Sequence, residues 1–106
     1  MTNVEIANRL NDYTALVTEL NADYWTRNDF TYAPAPTASA SIGKRYAKVT
    51  TENGLHSFVD MENGDIIKGT WKAPIRTKRG LAVRGNIFAD DLGASKITWH
   101  GPRYLY

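Results

Sequence analysis

No glycine or proline interrupts residues 3–26, and Ile6, Leu10, Tyr13, Val17, Leu20 and Tyr24 recur at spacings of 4, 3, 4, 3 and 4. That period puts them on one face of a helix as a narrow, heptad-like stripe, with Leu16 and Trp25 flanking it. Thr2-Asn3-Val4-Glu5 has the hydroxyl-to-Glu spacing of a capping box, which supplies partners for the free amides of a first helical turn. The pattern therefore predicts one long helix within residues 1–30. Its stripe has two uses: docking on the chain's own sheet, and meeting a second copy. Fewer than three heptads rarely hold a coiled coil alone. Ile6, Leu10, Tyr13, Val17, Leu20 and Tyr24 are accordingly also the candidate oligomer interface, with a homodimer the expected assembly.

The pattern then changes period. Residues 31–43, with Pro34, Pro36 and a Ser/Ala/Thr run, read as an extended linker. Residues 45–51, 55–61 and 66–71 are three β-rich runs separated by Asn53-Gly54 and Asn63-Gly64, the dipeptides that favour tight hairpin turns. A two-residue turn at 53–54 pairs Val49 with Phe58, Thr51 with His56 and Ala47 with Asp60. An equally tight second turn adds Ile67 and Trp71 to that face, leaving Tyr46, Leu55, Val59, Met61 and Ile66 on the other. Both faces are partly apolar, so one helix cannot cover them both. Residues 72–86 read as a basic, glycine-punctuated loop and 87–92 as a turn or 3₁₀ segment. A fourth short strand is expected at 96–99, before Gly101-Pro102 and a docked aromatic end, Tyr104-Leu105-Tyr106. The expected fold is α+β: a long N-terminal helix packed on a small antiparallel meander of three to four strands. A single domain is expected, made of helix (1–30), linker (31–43) and β-rich remainder (44–106).

Composition narrows the function classes. One hundred and six residues are too few for a two-domain enzyme or an eight-stranded α/β barrel, and the absence of cysteine removes disulfides, thiolate metal sites and cysteine nucleophiles. No apolar run approaches the roughly 18 residues of a membrane span, and Glu5 and Arg9 stand where a signal peptide would be apolar. A soluble cytoplasmic protein is the expectation. The net charge of +2 hides a division. Residues 1–43 set Arg9 and Arg27 against Glu5, Asp12, Glu19, Asp23 and Asp29, a net −3. Residues 44–88 carry nine cations against Glu52, Asp60, Glu62 and Asp65, a net +5. Such a split suits an acidic helix against a basic sheet, or a basic surface kept for an anionic partner.

Catalytic constellations are weak. Asp60, His56 and Thr51 form a triad on paper, but residues i and i+4 of one strand lie roughly 13 Å apart, too far for Asp60 to orient His56. His100 precedes a turn, and Asp90-Asp91 fit a helix cap better than a cation site. No phosphate-loop, dinucleotide or paired-histidine motif is present. The chain reads as a non-enzyme without cofactor or metal. Its best functional candidate is the run Lys68, Trp71, Lys72, Arg76, Lys78, Arg79 and Arg84, which contains no acid. Cations interleaved with an aromatic ring are what RNA, single-stranded DNA or another phosphate-bearing ligand requires, and Trp99, Tyr46 or His56 are candidate neighbours.

Lys44-Arg45-Tyr46-Ala47-Lys48-Val49, Ser57-Phe58-Val59-Asp60, Gly64-Asp65-Ile66-Ile67-Lys68, Trp71-Lys72-Ala73-Pro74 and Arg84-Gly85-Asn86-Ile87-Phe88 together resemble a family of small bacteriophage proteins. The resemblance covers about the last three fifths of the chain, without the helix. Residues 76–82 stand as an insertion relative to it. It implies a viral origin and carries over no catalytic residue. Composition and resemblance together lead to an accessory protein of the host cytoplasm that binds a host or defence-related target. A virion or assembly component is the alternative.

Overall fold

The computed structural model describes residues 3–29, 34–52, 54–77 and 80–102. Among the described residues one helix, α1 (Asn3–Arg27), precedes nine strands: β1 (Ser39–Ile42), β2 (Tyr46–Thr51), β3 (Gly54–Asp60), β4 (Asp65–Ile67), β5 (Arg76–Thr77), β6 (Gly80–Leu81), β7 (Val83–Asn86), β8 (Ile97–Thr98) and β9 (Gly101–Pro102). β1-β2-β3-β4-β7 form a five-stranded antiparallel sheet, while β5-β6 and β8-β9 are separate two-stranded ladders. This is the α+β arrangement that the periodicity predicts, with one strand more in the sheet than expected.

The helix lies on one sheet face through its stripe. Ile6, Leu10, Tyr13 and Val17 are 0–3% exposed and form one core with Ala47, Val49, Val59, Ile66, Ile87 and Ile97. Burying each large aliphatic of this set stabilises the fold by roughly 1.5–3 kcal/mol. At these four positions the chain's own sheet takes the surface that a second copy would need. Leu20 packs at the margin of the core, and Tyr24 stacks on Trp99 with ring centroids 4.2 Å apart. Arg9 ties the helix to the far end of the sheet, donating from Nε to Ile87 O (2.8 Å) and from Nη2 to Ala89 O (2.6 Å).

The first hairpin differs from its expected register by one residue. Val49 lies opposite Ser57, Lys48 opposite Phe58, Ala47 opposite Val59 and Tyr46 opposite Asp60. Two causes combine: Thr51 pairs with Gly54, which moves the turn back one position, and a bulge falls between Val49 and Thr50. A one-residue slip exchanges faces. Ala47, Val49, Val59 and Ile66 therefore face the helix, whereas Lys48, Phe58 and Ile67 form a row on the back. The second turn is a four-residue loop between Asp60 and Asp65, closed by Gly64 N–H donating to Asp60 O at 2.7 Å. Gly64 sits at φ 83°, a left-handed conformation that a β-branched residue resists.

Four other expectations are corrected. The linker contains β1, paired from Ser39↔Thr50 to Ile42↔Ala47. All four of its side chains are exposed, so no apolar alternation announces it. The third run ends at Ile67 because Gly69 and Pro74 bridge and Thr70 N–H donates to Ala73 O, folding Trp71 into a tight loop. The basic segment is built rather than structureless, since Lys68 N–H donates to Ala82 O, Ile75 N–H to Lys68 O and Ala82 N–H to Ile75 O. At the other end, a 3₁₀ turn (Ala94–Lys96) is capped by Asp91, whose carboxylate accepts from Gly93 N–H and Ser95 N–H. Gly101-Pro102 forms a buried strand where a chain break was expected. Tyr104, Leu105 and Tyr106 lie outside the described residues.

Candidate nucleic-acid interface

The back of the sheet gathers rings and cations. Lys48, between Ser41 and Phe58 in the ladder, places Nζ 5.9 Å from the Phe58 ring centroid and 4.6 Å from that of Trp71. The same ammonium donates to Trp71 O at 2.6 Å. Tyr46 meets Phe58 edge-on at 6.4 Å, and the Arg45 guanidinium lies 5.4 Å over Tyr46. The strip thus runs Arg45, Tyr46, Phe58, Lys48, Trp71. Cation–π contacts of this kind stabilise by about 0.5–1 kcal/mol each at exposed sites.

Gly69 makes the strip possible. A Cβ at that position would lie within about 2.5 Å of the Phe58 ring and 3.1 Å from Ala73 O, so only glycine lets the loop close over Phe58. Phe58 is 4% exposed beneath it, while Trp71 is 61% exposed. Arg45 is committed to carboxylates, with Nη2 at 3.1 Å from Asp60 Oδ2 and 3.6 Å from Glu62 Oε2. Asp60 in turn accepts from Glu62 N–H.

The predicted site residues are distributed unevenly. Trp71 is on the strip, and Lys72 and Arg76 are exposed in the loop and hairpin that follow it. Lys68 and Arg84 are half-buried, on the chain beyond β4 and in β7. Lys78 and Arg79 lie outside the described residues. Of the three proposed aromatic neighbours, only Tyr46 shares this face. Trp99 is stacked on Tyr24 of the helix, and its carbonyl accepts from the buried Asn21 amide at 3.0 Å. Lys48 and Phe58 are missing from the sequence-derived site. The Tyr46-x-Lys48 alternation signals them once the register is right.

His56 is buried among partners of its own. Its Nε2 lies 2.9 Å from Thr98 O and its Nδ1 2.8 Å from Ser57 Oγ, which is 2.8 Å from Tyr13 Oη. A carbonyl only accepts, so Nε2 carries the proton and Nδ1 accepts from the Ser57 hydroxyl. Ser57 Oγ then accepts from Tyr13 O–H. Burial drives the His56 pKa down to about 4 against the Thr98 carbonyl, which favours the charged form, and a nearby His100 lowers it further. Burial also pushes the Tyr13 phenol well above its ordinary value. The chain Tyr13–Ser57–His56–Thr98 is satisfied from end to end, with Tyr13, Ser57 and His56 buried and Thr98 half-buried, which suits a structural clamp. The drawn triad is not assembled, because Asp60 bonds Arg45. Among the described residues no group of three or more His, Asp or Glu side chains converges on a metal position.

The chain matches no protein-family model, no curated protein and no solved structure.

Proposed function

We propose that the chain is a non-enzymatic binding module for single-stranded nucleic acid, held on the back of the sheet. The observation that carries this reading is the exposed Trp71 ring with the Lys48 ammonium against it, on a face shared with Tyr46. An exposed ring stacks on an unpaired base regardless of its identity, and adjacent cations take the phosphates. A duplex keeps its bases stacked internally and has no use for such a ring. Lys72 and Arg76 extend the cationic surface, and Arg is able to grip phosphate bidentately. Within this proposal the chain is a phage accessory protein acting in the host cytoplasm on a host or defence-related target. A role as a virion or assembly component remains the competing proposal, and abundance in purified particles would favour it.

The test is fluorescence anisotropy with labelled oligo-dT and oligo-U at several salt concentrations, alongside a duplex of equal length. Single strands should bind with a log–log salt slope of about −0.7 per phosphate contacted. Trp71→Ala should weaken binding by about 1–3 kcal/mol if one base stacks there, and Lys72→Ala/Arg76→Ala should flatten the slope. Absence of single-strand binding at low salt, or equal affinity for the duplex, would overturn the reading.

A further inference from the structure

We propose that the strip selects RNA over single-stranded DNA, with Ser39 and Ser41 of β1 meeting ribose 2′-hydroxyls; the inference rests on the single-strand reading above. Residues paired across a ladder share a face. Ser41 pairs with Lys48 and Ser39 with Thr50, so these three hydroxyls belong to the back of the sheet, beside the Lys48 side chain. The same alternation turns Ala40 and Ile42, opposite Val49 and Ala47, to the helix side. Ser39 and Ser41 are exposed and Thr50 is half-buried. Among the described residues none of the three hydroxyls is bonded to another protein group.

Charge separates the parts of this face. The Trp71 ring takes a base, and the cations Lys48, Lys72 and Arg76 lie with it or follow it in the chain. Ser39-Ala40-Ser41-Ile42 carries no charge, and just before it the Glu52 carboxylate is held by the Thr37 N–H (2.9 Å) and hydroxyl (3.0 Å). Phosphate is therefore drawn to the Trp71 side, and the uncharged sugar suits β1. Ser41 stands one strand spacing, about 4.8 Å, beyond Lys48, within a nucleotide's reach of the ring. Ser39 and Ser41 are two residues apart on one strand, roughly 6.6 Å, which matches the step between successive sugars of an extended single strand. A serine hydroxyl both donates and accepts, as the ribose 2′-hydroxyl does, so the pair forms in either direction. The C2′ methylene of deoxyribose offers neither, which is how a protein tells RNA from DNA at a given position. The ring makes no such distinction, because it stacks on any base.

The test compares oligo-rU, oligo-dU and 2′-fluoro oligo-U of equal length by fluorescence anisotropy at one salt concentration. All three carry the same base, so the comparison isolates the sugar, and the 2′-fluoro strand keeps the ribose pucker without a hydroxyl donor. Oligo-rU should bind about threefold to tenfold more tightly than the other two, the worth of one hydrogen bond of ordinary strength. Ser39→Ala/Ser41→Ala should bring oligo-rU down to the affinity of oligo-dU, with an unchanged melting temperature because both side chains are exposed. Trp71→Ala should weaken all three strands and keep their ratio. Equal binding of oligo-rU and oligo-dU, a 2′-fluoro strand that binds as tightly as oligo-rU, or a preference that survives the double substitution would each overturn this inference while leaving the single-strand reading in place. Failure of every strand to bind would overturn both.

Discussion

Mild acid should destabilise this fold through one side chain. His56 is 4% exposed and neutral in the folded state, with a pKa of about 4, against an ordinary value of 6.5. Between those values the unfolded chain binds a proton that the folded chain refuses, so stability falls as pH falls. The contribution is fully present above about pH 6.5 and lost on the way to pH 4. At about 1.4 kcal/mol per pKa unit the loss approaches roughly 3 kcal/mol, a large share of the stability of a small domain. Glu52 and Asp91, both exposed, are held below the ordinary carboxylate range by backbone N–H donors, so their contributions fade only at lower pH. Urea denaturation followed by circular dichroism at pH 7.5, 6.5, 5.5 and 4.5 measures the slope directly. His56→Gln lowers the stability but removes the titrating group, so its curve should be nearly flat between pH 6.5 and 5. The reasoning is refuted if NMR shows the folded His56 ring titrating near 6.5, or if His56→Gln keeps the same slope.

Three further outcomes follow from the packing. Gly69→Ala should cost about 1–3 kcal/mol by thermal denaturation, since its new methyl meets the Phe58 ring and the Ala73 carbonyl. Gly64→Val should lower the melting temperature comparably, because it combines positive φ with a Cβ position 2.7 Å from the Phe88 ring. Tyr13→Phe should destabilise by about 1–2 kcal/mol, leaving the Ser57 oxygen without its buried donor, while the low pKa of His56 persists in an NMR titration.

The fold was legible where one period dominated a long segment. The 4-3-4-3-4 stripe of the helix and the β-rich runs at 45–51 and 55–61 all appear where the pattern puts them. Register was not legible, because Asn53-Gly54 admits more than one loop and the bulge at Val49/Thr50 is invisible to alternation. β1 was lost because every one of its side chains is exposed. The candidate site was half visible. Trp71, Lys72 and Arg76 lie in one continuous segment, whereas Lys48, Tyr46 and Phe58 join Trp71 through a loop that closes only because residue 69 has no Cβ. Likewise, His56 carries no sequence sign that Ser57, Tyr13 and Thr98 will surround it.

The proposed binding strip and the helix-covered core lie on opposite faces of the sheet, so binding and stability should be separable, and Lys48 is the residue on which to test this. Its side chain bridges Phe58, which is 4% exposed, and Trp71, which is 61% exposed, so it belongs to both the fold and the strip. Lys48→Met keeps the apolar stem and removes the ammonium. Losing two cation–π contacts and one hydrogen bond should cost about 1.5–3.5 kcal/mol, within reach of a thermal shift. If the ammonium also contacts phosphate, the salt slope for a single-stranded oligonucleotide should shrink by about 0.7 in magnitude. If it only positions Trp71, affinity should fall with the slope unchanged, and the tryptophan emission of the free protein should shift as that ring loses its anchor. Unchanged affinity together with an unchanged slope would mean that the strip is not where nucleic acid lies. The cations beyond it, Lys72 and Arg76, would then have to hold the ligand without a ring, by charge alone.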